Sequence, residues 1–479
     1  MSIWRRSMLF NSYVFLFLFL PATWFSFRLA CSRRATNAAL AVLLVASLLF
    51  YSYWNPPFIL LILFSILFNY AWGRGIERAV LQDRNVKAWL FSGLGVNLAL
   101  IAYFKYANFF MANLALLCGR EWLHRDIFLP LGISFFTFQQ MAYLVDCSKG
   151  LVGGHSFTHY ALFVSFFPQL IAGPIVRYDQ IIPQFSRLRT FALSYRNIAI
   201  GLTLLSLGLF KKLVVADTLA PWAAAVFDTT GVPPVLETWV GVLCYTFQIY
   251  FDFSGYSDMA LGLGRLFNIE LPVNFASPYK ACSMVEFWRR WHISLSTFLR
   301  DYLYIPLGGN RKGTLRRYGN LMTTMLLGGL WHGASWNFVI WGGLHGLYLC
   351  ANHSLAAVAP MRAFPRLQRF LGWLVTFFSV VVAWVFFRAH TLGRALELFS
   401  GMFGLNGGCA LPGSPGTDRL VVLGACFLLV VAAPNSQEWT FTRFREGTFT
   451  ARWAVAVGGV LLISVCFLNR VSEFLYFQF

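Results

Sequence analysis

Charged side chains are scarce in this sequence of 479 residues, because Asp, Glu, Lys and Arg together make up only 12% of it. Soluble domains carry about 25% of such residues, so the composition excludes an ordinary soluble protein. Long apolar runs recur along the whole chain, for example at residues 36–54, 57–72 and 371–387. A spanning helix needs about 20 apolar residues, which predicts roughly nine to thirteen membrane segments. We therefore expect an all-α, polytopic integral membrane protein, with one transmembrane domain over residues 1–479.

Acidic residues are scarcer still, with 19 Asp and Glu against 38 Lys and Arg and a net charge of +19. Such a charge first suggests nucleic-acid binding, but no basic tract interleaved with aromatic residues stands apart from the spans. Basic cytoplasmic loops explain the charge better, and no nucleic-acid partner is expected. By the same rule, loop 217–237 faces away from the cytoplasm and the next span returns there at Arg265. Lys211 and Lys212 conflict with this assignment because they lie close to that loop.

Several motifs of soluble enzymes and transporters are absent. The nine cysteines include no CxxC pair and no Cys/His group with zinc-ligand spacing, so we expect free thiols and no metal site. The glycine pairs lack the Gly-Lys-Ser/Thr ending of a phosphate-binding loop. No inverted repeat of the kind found in many transporters is evident.

Ionised side chains accumulate between residues 277 and 317, in a chain that otherwise has few of them. A straight span does not tolerate so many charges. Aromatic residues and leucines nevertheless recur at helical spacing between residues 287 and 303. This pattern predicts a re-entrant or interfacial helix at the cytoplasmic face.

An apolar run of residues 319–350 follows, which as one straight helix would be about 48 Å long. That length exceeds the hydrocarbon core of about 30 Å, so the run must tilt or break. Gly328-Gly329 and Gly342-Gly343 are the candidate break points. Broken helices at membrane depth are tolerated where they line a cavity in the protein.

Two histidines are the leading candidates for catalysis, since an imidazole can take a proton from a hydroxyl near neutral pH. His332 lies in Gly-Gly-Leu-Trp-His-Gly-Ala-Ser-Trp-Asn, where small residues allow a ligand to come close and Trp331 can wall a pocket. His292 lies in the charged region; its alternative role is that of an interfacial histidine. His345 is rotated by roughly 220° from His332 on a continuous helix, so we expect a structural role for it.

Other polar residues are supporting candidates. Asp252 and Asp258 lie in an apolar span, where they could orient a base, line a polar path, or pair with Arg300 or a lysine. Ser335 follows His332 closely enough for a Ser–His pair, although no nucleophile motif supports one. The same set of supporting positions includes Arg300, Asp301, Asn310, Trp331 and Asn337.

Five segments together resemble the membrane-bound O-acyltransferase (MBOAT) family. They are Phe-Phe-Pro-Gln-Leu-Ile-Ala-Gly-Pro-Ile-Val-Arg (166–177), Tyr-Phe-Asp-Phe-Ser-Gly-Tyr-Ser-Asp-Met-Ala (250–260), Phe-Trp-Arg-Arg-Trp-His-Ile-Ser-Leu-Ser (287–296), Asp-Tyr-Leu-Tyr-Ile-Pro-Leu-Gly-Gly-Asn-Arg (301–311) and Gly-Leu-Trp-His-Gly (329–333). Within the family, these segments and the ending at 473–479 resemble the bacterial alginate O-acetylation branch. The resemblance covers nearly the whole chain.

The resemblance implies a bundle of helices in the bacterial inner membrane around a central tunnel. His332 matches the invariant histidine of the family and His292 a more variable second position. The implied donor is cytoplasmic acetyl-CoA. The implied acceptor is a periplasmic or membrane-anchored partner protein, or an exported polysaccharide such as alginate served through it. A cellulose-acetylating relative would look similar, and the D-alanine-transferring branch ranks second.

The residues are compatible with this chemistry. Lys280, Arg289, Arg290 and Arg311 would suit a phosphate-bearing donor, although membrane headgroups explain the same charges. His332 would act as general base, an effect worth roughly 10²–10⁴-fold. Asn337 or the backbone N–H groups near Gly328-Gly329 are candidate oxyanion stabilisers. No bound cofactor or metal is expected.

Two other functional classes stay open at this point. A transporter for a polysaccharide or lipid would explain a polar tunnel but not the two histidine motifs. A non-catalytic scaffold of a secretion complex would keep acylation intact when His332 is replaced by alanine.

Overall fold

The computed structural model describes residues 8–122, 124–231, 233–358, 365–405, 416–447, 449–469 and 474–475. These residues form helices and turns without a β-strand, so the all-α prediction is confirmed. The first helices in chain order are α1 Leu20–Ser32, α2 Thr36–Trp54, α3 Phe58–Leu81, α4 Val86–Ile101, α5 Ala107–Leu117, α6 Ile133–Ser148, α7 Phe157–Ser165, α8 Phe167–Leu170, α9 Tyr178–Phe185, α10 Leu188–Phe191 and α11 Tyr195–Leu209. The others are α12 Asp217–Phe227, α13 Val235–Leu266, α14 Met284–Arg290, α15 Ile293–Leu299, α16 Thr314–His332, α17 Trp336–Val358, α18 Pro365–Arg388, α19 Leu392–Met402, α20 Thr417–Ala432, α21 Ser436–Arg445 and α22 Ala451–Cys466. Short π-helical turns join some neighbours, at Phe15–Phe19, Ala102–Tyr106, Phe210–Ala216 and Arg300–Tyr304.

Six helical stretches among the described residues are long and apolar enough to cross a membrane. They are Phe15–Ser32, Thr36–Trp54, Phe58–Leu81, Val86–Leu117, Tyr195–Phe227 and Pro365–Arg388. A seventh is reached if α20 and α21, bent by 50°, form one broken span. By length and hydropathy alone this is fewer than the nine to thirteen segments expected from the sequence. Long helices such as α13 and α17 do not count because polar side chains, including Asp252 and His345, interrupt their apolar sequence.

The Cα positions divide the chain into two compact units. The first unit comprises Met1–Leu209, Tyr256–Pro272 and Thr440–Asn469, and the second comprises Phe210–Gly255, Val273–Trp439 and Arg470–Phe479. In the first unit, buried Asn69 of α3 and Asn97 of α4 exchange hydrogen bonds of 3.1 and 2.7 Å, a polar link of the kind that joins helices in membranes. The prediction of a single domain stays a prediction.

Helices α16 and α17 form the hairpin that positions His332 in the second unit. The chain breaks at residues 333–335, after α16 has run for 19 residues, or about 28 Å. The prediction that Gly328-Gly329 or Gly342-Gly343 breaks the run is wrong, because both pairs lie inside helices. A Cβ atom at Gly329 would meet the carbonyl oxygen of Phe338, and one at Gly342 would meet that of Met325. These glycines therefore serve close helix packing.

The charged segment 277–317 is broken rather than continuous. It contains a 3₁₀ turn at Pro278–Lys280, the short helices α14 and α15, and the π-helical turn Arg300–Tyr304. Between α14 and α15 the backbone turns sharply at His292, whose φ is 43°. A positive φ is uncommon for a residue other than glycine, and such strain is often found at functional sites.

Candidate active site

His332 is the last residue of α16 and is buried, with 5% of its surface exposed. Gly333 ends the helix in an extended conformation, and a Cβ atom there would meet the ring of Phe338. The imidazole packs edge-on against aromatic rings, with centroid distances of 5.0 Å to Trp331, 5.0 Å to Trp341 and 5.1 Å to Phe387. These rings fix the orientation of the side chain.

His292 is fully buried at the start of α15. Its Nδ1 lies 3.2 Å from Oδ1 of Asn274, and the same oxygen accepts hydrogen bonds from the backbone N–H and Oγ of Ser294. The N–H of Ser294 can only donate, so the Asn274 atom that it contacts is the amide oxygen, which can only accept. Nδ1 of His292 must therefore be the donor in its contact with the same oxygen. Burial lowers the pKa of the His292 imidazole to about 3. The side chain is therefore neutral at physiological pH and has its proton on Nδ1.

Trp331 connects the two histidine motifs. Its ring centroid lies 5.0 Å from that of His332 and 6.1 Å from that of His292. The His292 ring also contacts Phe253 of α13. Their ring centroids are 4.8 Å apart, and the two ring planes are nearly perpendicular. The fold thus brings two residues that are forty positions apart into contact with one indole ring.

His345 also belongs to this aromatic cluster. It lies on α17, not on the helix of His332, so the rotation argument that separated the two residues is wrong. Trp341 contacts both, with centroid distances of 5.0 Å to His332 and 4.7 Å to His345. Neither nitrogen of His345 has a hydrogen-bond partner among the described residues, and the buried indole nitrogens of Trp341 and Trp288 also lack one. Buried polar groups are usually hydrogen-bonded, so these atoms are available to a water molecule or a ligand.

A cavity of about 480 Å³ lies in the same unit. Trp288, Arg289, Arg300, Thr324 and Met325 are among its lining residues. The Trp288 ring lies 5.9 Å from Trp341 and 5.2 Å from His345. Trp288 therefore belongs to the cavity wall and also contacts Trp341, which in turn contacts His332.

Comparison with known protein sequences shows the family of this chain. The sequence model of the MBOAT, membrane-bound O-acyltransferase family, matches residues 58–392. The chain belongs to the MBOAT family. A peptidoglycan O-acetyltransferase of Helicobacter pylori is 44% identical over 426 residues, which cover 84% of this chain and 80% of that protein. A probable alginate O-acetylase AlgI of Pseudomonas aeruginosa is 43% identical over 401 residues, or 83% and 75% of the two chains.

The MBOAT assignment confirms the family expected from the sequence motifs. It makes this protein a membrane-bound O-acetyltransferase and a multi-pass protein of a bacterial inner membrane. The D-alanine branch is also related, since a teichoic acid D-alanyltransferase of Streptococcus thermophilus is 27% identical over 54% of this chain and 68% of its own length. Within the described ranges, no cluster of His, Cys, Asp and Glu side chains is suited to hold a metal ion.

The four predicted donor-binding residues of this MBOAT protein lie in different environments. Arg289 lines the cavity and has no described ion pair. Arg290 forms an ion pair of 2.8 Å with Glu286, and Lys280 donates a 2.7 Å hydrogen bond to the carbonyl oxygen of Ala433. Arg311 is exposed in a turn. Only Arg289 of this set is therefore placed at the cavity.

The predicted supporting residues also lie in different environments. Arg300 lines the cavity and forms an ion pair with Asp301, with Nε 2.6 Å from Oδ1. Ser335 caps the start of α17 by accepting a 3.3 Å hydrogen bond from the N–H of Asn337. The Asn337 side chain donates a 2.6 Å bond to the carbonyl oxygen of Ala389, so it holds α17 against the end of α18. Asn310 is exposed in a turn.

The two acids of α13 lie in different units. Asp258 is buried in the first unit, whereas His332 belongs to the second. Asp252 lies in the second unit, and its Oδ2 is 2.6 Å from Nζ of Lys212, which is also 2.9 Å from Oδ1 of Asp217. Pairing with a lysine was one of the alternatives for Asp252. It also removes the conflict over Lys212, because a buried, paired lysine is not part of a basic loop.

Proposed function

We propose that this enzyme transfers the acetyl group of acetyl-CoA to a sugar hydroxyl of an exported polysaccharide such as alginate, with His332 as the general base. The observation that carries the proposal is the convergence of His332 and His292 on Trp331. Trp341 contacts both His332 and Trp288, a wall residue of the cavity that Arg289 also lines. The relatives named for peptidoglycan and alginate acetylation support a carbohydrate acceptor.

The reaction needs one base that later acts as an acid. His332 takes the proton of the acceptor hydroxyl while its oxygen attacks the carbonyl carbon of the thioester. The tetrahedral intermediate then collapses, the C–S bond breaks, and the imidazolium returns the proton to the leaving thiolate. The products are the acetyl ester and free CoA thiol. General-base assistance of this kind contributes roughly 10²–10⁴-fold to the rate.

The oxyanion of the intermediate requires hydrogen-bond donors. Gly328 and Gly329 lie within α16, so their backbone N–H groups belong to the helix and do not fit the role given to them from the sequence. Asn337 is bonded to Ala389. Among the described residues, the backbone N–H groups of Gly333 and Ala334 make no hydrogen bond. Because they directly follow His332, we assign the oxyanion-stabilising role to them.

The cavity of the second unit provides the entry for the donor in this proposal. Arg289 and Arg300 supply guanidinium groups for its phosphates, and the path to His332 passes Trp288 and Trp341. The acceptor reaches His332 from the opposite side of the membrane. It is delivered by periplasmic or membrane-anchored partner proteins.

The cell-wall glycan is a second candidate for the acceptor. The peptidoglycan O-acetyltransferase of Helicobacter pylori, at 44% identity, favours a hydroxyl of the cell-wall glycan. Both acceptors present a sugar hydroxyl to the same base, so the site is compatible with either.

One experiment separates these possibilities. Membrane vesicles containing the protein receive acetyl-CoA labelled in the acetyl group, and label is measured in exopolysaccharide and in muropeptides. Release of one free CoA thiol per ester formed would support direct transfer. Export of unlabelled polysaccharide that depends on the protein, without ester formation, would instead favour a transporter. Normal labelling by a protein without His332 would favour a scaffold.

Replacing Arg289 by glutamine should raise KM for acetyl-CoA about tenfold with little change in kcat. The reason is the loss of a charge-assisted hydrogen bond to phosphate at the cavity wall. Arg311→Gln is the matched control, because it removes the same charge from an exposed turn. Equal KM values for both variants would contradict the placement of the donor in this cavity.

His292→Gln should lower kcat but leave the pH dependence between pH 5 and 8 unchanged. Burial holds the pKa of His292 at about 3, so its protonated form is absent throughout that window. An inflection in the rate must then come from another group. The test is the initial rate of ester formation across this pH range for wild type and variant. An inflection lost in His292→Gln would show that His292 titrates during turnover.

A further inference from the structure

A second charged cavity lies in the first unit, apart from the residues of the acetyl-transfer proposal. It has a volume of about 490 Å³. Its charged lining residues are three arginines and one glutamate: Arg196, Arg265, Arg445 and Glu270. Ser194, Asn197, Ile200 and Phe441 complete the wall. The four charged side chains leave the cavity with a net charge of about +2.

Arg265 is fixed in the wall. Its Nη1 donates a 2.6 Å hydrogen bond to Oε1 of Glu270 and lies 3.4 Å from Oδ1 of Asn197. Its guanidinium carbon is 5.3 Å from the ring centroid of Phe441, within the range of a cation–π contact. Asn197 is itself held by Asn268, through a 2.9 Å bond. The position of this positive charge is therefore set by neighbouring side chains.

Arg196 and Arg445 supply charge that the described residues do not neutralise. Both side chains are exposed, and neither forms an ion pair or a hydrogen bond with a described residue. Guanidinium groups bind phosphate through paired N–H donors. The cavity therefore presents two such groups beside a third, fixed arginine.

The start of a long helix adds to this field. Tyr195–Phe227 is one helical stretch of 33 residues, and Ser194 at its beginning accepts a 3.2 Å hydrogen bond from the N–H of Asn197. A helix N-terminus carries roughly half a positive charge. Ser194 and Asn197 line the cavity, so this partial charge adds to that of the arginines.

We propose that this cavity binds a phosphate-bearing anion. The phosphate comes either from the headgroup of an anionic phospholipid or from a soluble phosphate compound. Arg265 lies at the cytoplasmic end of its span by the positive-inside rule, where both sources are present. Basic side chains in loops also attract headgroups. Arg84 and Lys87 are basic residues of this kind, exposed in a loop and a helix start, and they are not among the lining residues of this cavity. The comparison between these two sets of charges is the basis of the test.

The test uses the purified full-length protein in detergent. Retention of phosphatidylglycerol over phosphatidylcholine is measured by native mass spectrometry, and thermal stability is followed during titration with pyrophosphate. The double variant Arg196→Gln/Arg445→Gln should weaken binding about tenfold or more. The control Arg84→Gln/Lys87→Gln removes the same charge and should bind as wild type does.

The two probes, phosphatidylglycerol and pyrophosphate, distinguish the two sources of the phosphate group. Selective phosphatidylglycerol retention that is lost only in the cavity variant identifies a lipid headgroup. Stabilisation by pyrophosphate that is lost only in that variant, without lipid selectivity, identifies a soluble phosphate compound. Equal responses of both double variants to both probes would overturn the proposal, because the effect would then be net charge alone. Acetyl transfer is not used as the readout, so the result is independent of the role of His332.

Discussion

Replacing His332 by alanine should reduce acetyl transfer by about 10²–10⁴-fold while the protein remains in the membrane at normal levels, because the variant loses its general base. The measurement is polymer-bound acetate per amount of membrane protein, together with the initial rate of CoA thiol release. His332→Gln should be equally impaired, since an amide retains polar contacts but cannot take the proton. The aromatic rings around His332 make a packing defect the main competing explanation.

Two controls address that explanation. His390→Ala removes a histidine of the same unit whose side chain is 70% exposed, and it should acetylate normally. Thermal unfolding in detergent should be similar for His332→Gln and wild type. A His332→Ala protein that is stable and acetylates at the wild-type rate would disprove the general-base role and revive the scaffold hypothesis.

The sequence motifs pointed to candidate residues but did not predict their local geometry. The motifs around His292 and His332 and the family resemblance singled out the two residues as catalytic candidates, and the structure places both rings next to Trp331. The break in the run 319–350 was assigned to glycine pairs, because glycine both ends helices and allows close packing. The signal that identifies the true break is Gly333-Ala334-Ser335, in which a helix-ending glycine is followed by a serine able to cap the next helix.

Misplacing the break also explains why His345 was separated from His332 in the sequence analysis. The helical rotation between His332 and His345 has meaning only on one continuous helix. In the hairpin, the two residues lie on separate helices and share a contact with Trp341. Such a contact depends on the fold of the hairpin and cannot be obtained from sequence spacing. For the same reason, Arg289 could not be distinguished from Arg290 and Arg311 before the cavity was known.

Lys212 shows a different limit of sequence reasoning. The positive-inside rule counts lysines in short loops, and Lys212 was therefore in conflict with the acidic loop beside it. In the structure it lies in a π-helical turn with 1% of its side chain exposed, between Asp217 and Asp252. Phe474 and Leu475, the part of segment 473–479 that the structure describes, complete this cluster. The Phe474 ring centroid is 4.8 Å from Nζ of Lys212, and the N–H of Leu475 donates a 3.2 Å bond to Asp252.

Lys212→Met should therefore destabilise the protein strongly, by about 3–5 kcal/mol, because it leaves two buried carboxylates without their ammonium group. Asp252→Asn should cost much less, since Lys212 keeps Asp217 as a partner at 2.9 Å. Lys211→Met is the matched control. Its ammonium donates a 2.9 Å bond to the hydroxyl of Ser436, and the variant should stay close to wild type.

The measurement is thermal unfolding of the purified variants in one detergent, with folded yield from the membrane as a second readout. The triple variant Lys212→Met/Asp217→Asn/Asp252→Asn should recover much of the loss, because replacing all the members of a buried ionic cluster is far less costly than removing one partner. If Lys212→Met and Asp252→Asn were equally stable, the buried charges would not be coupled as the distances indicate. Acetate transfer by the triple variant then tests the role of Asp252 directly. Full activity would assign it to stability, and loss of activity in a stable protein would return it to the polar path expected from the sequence.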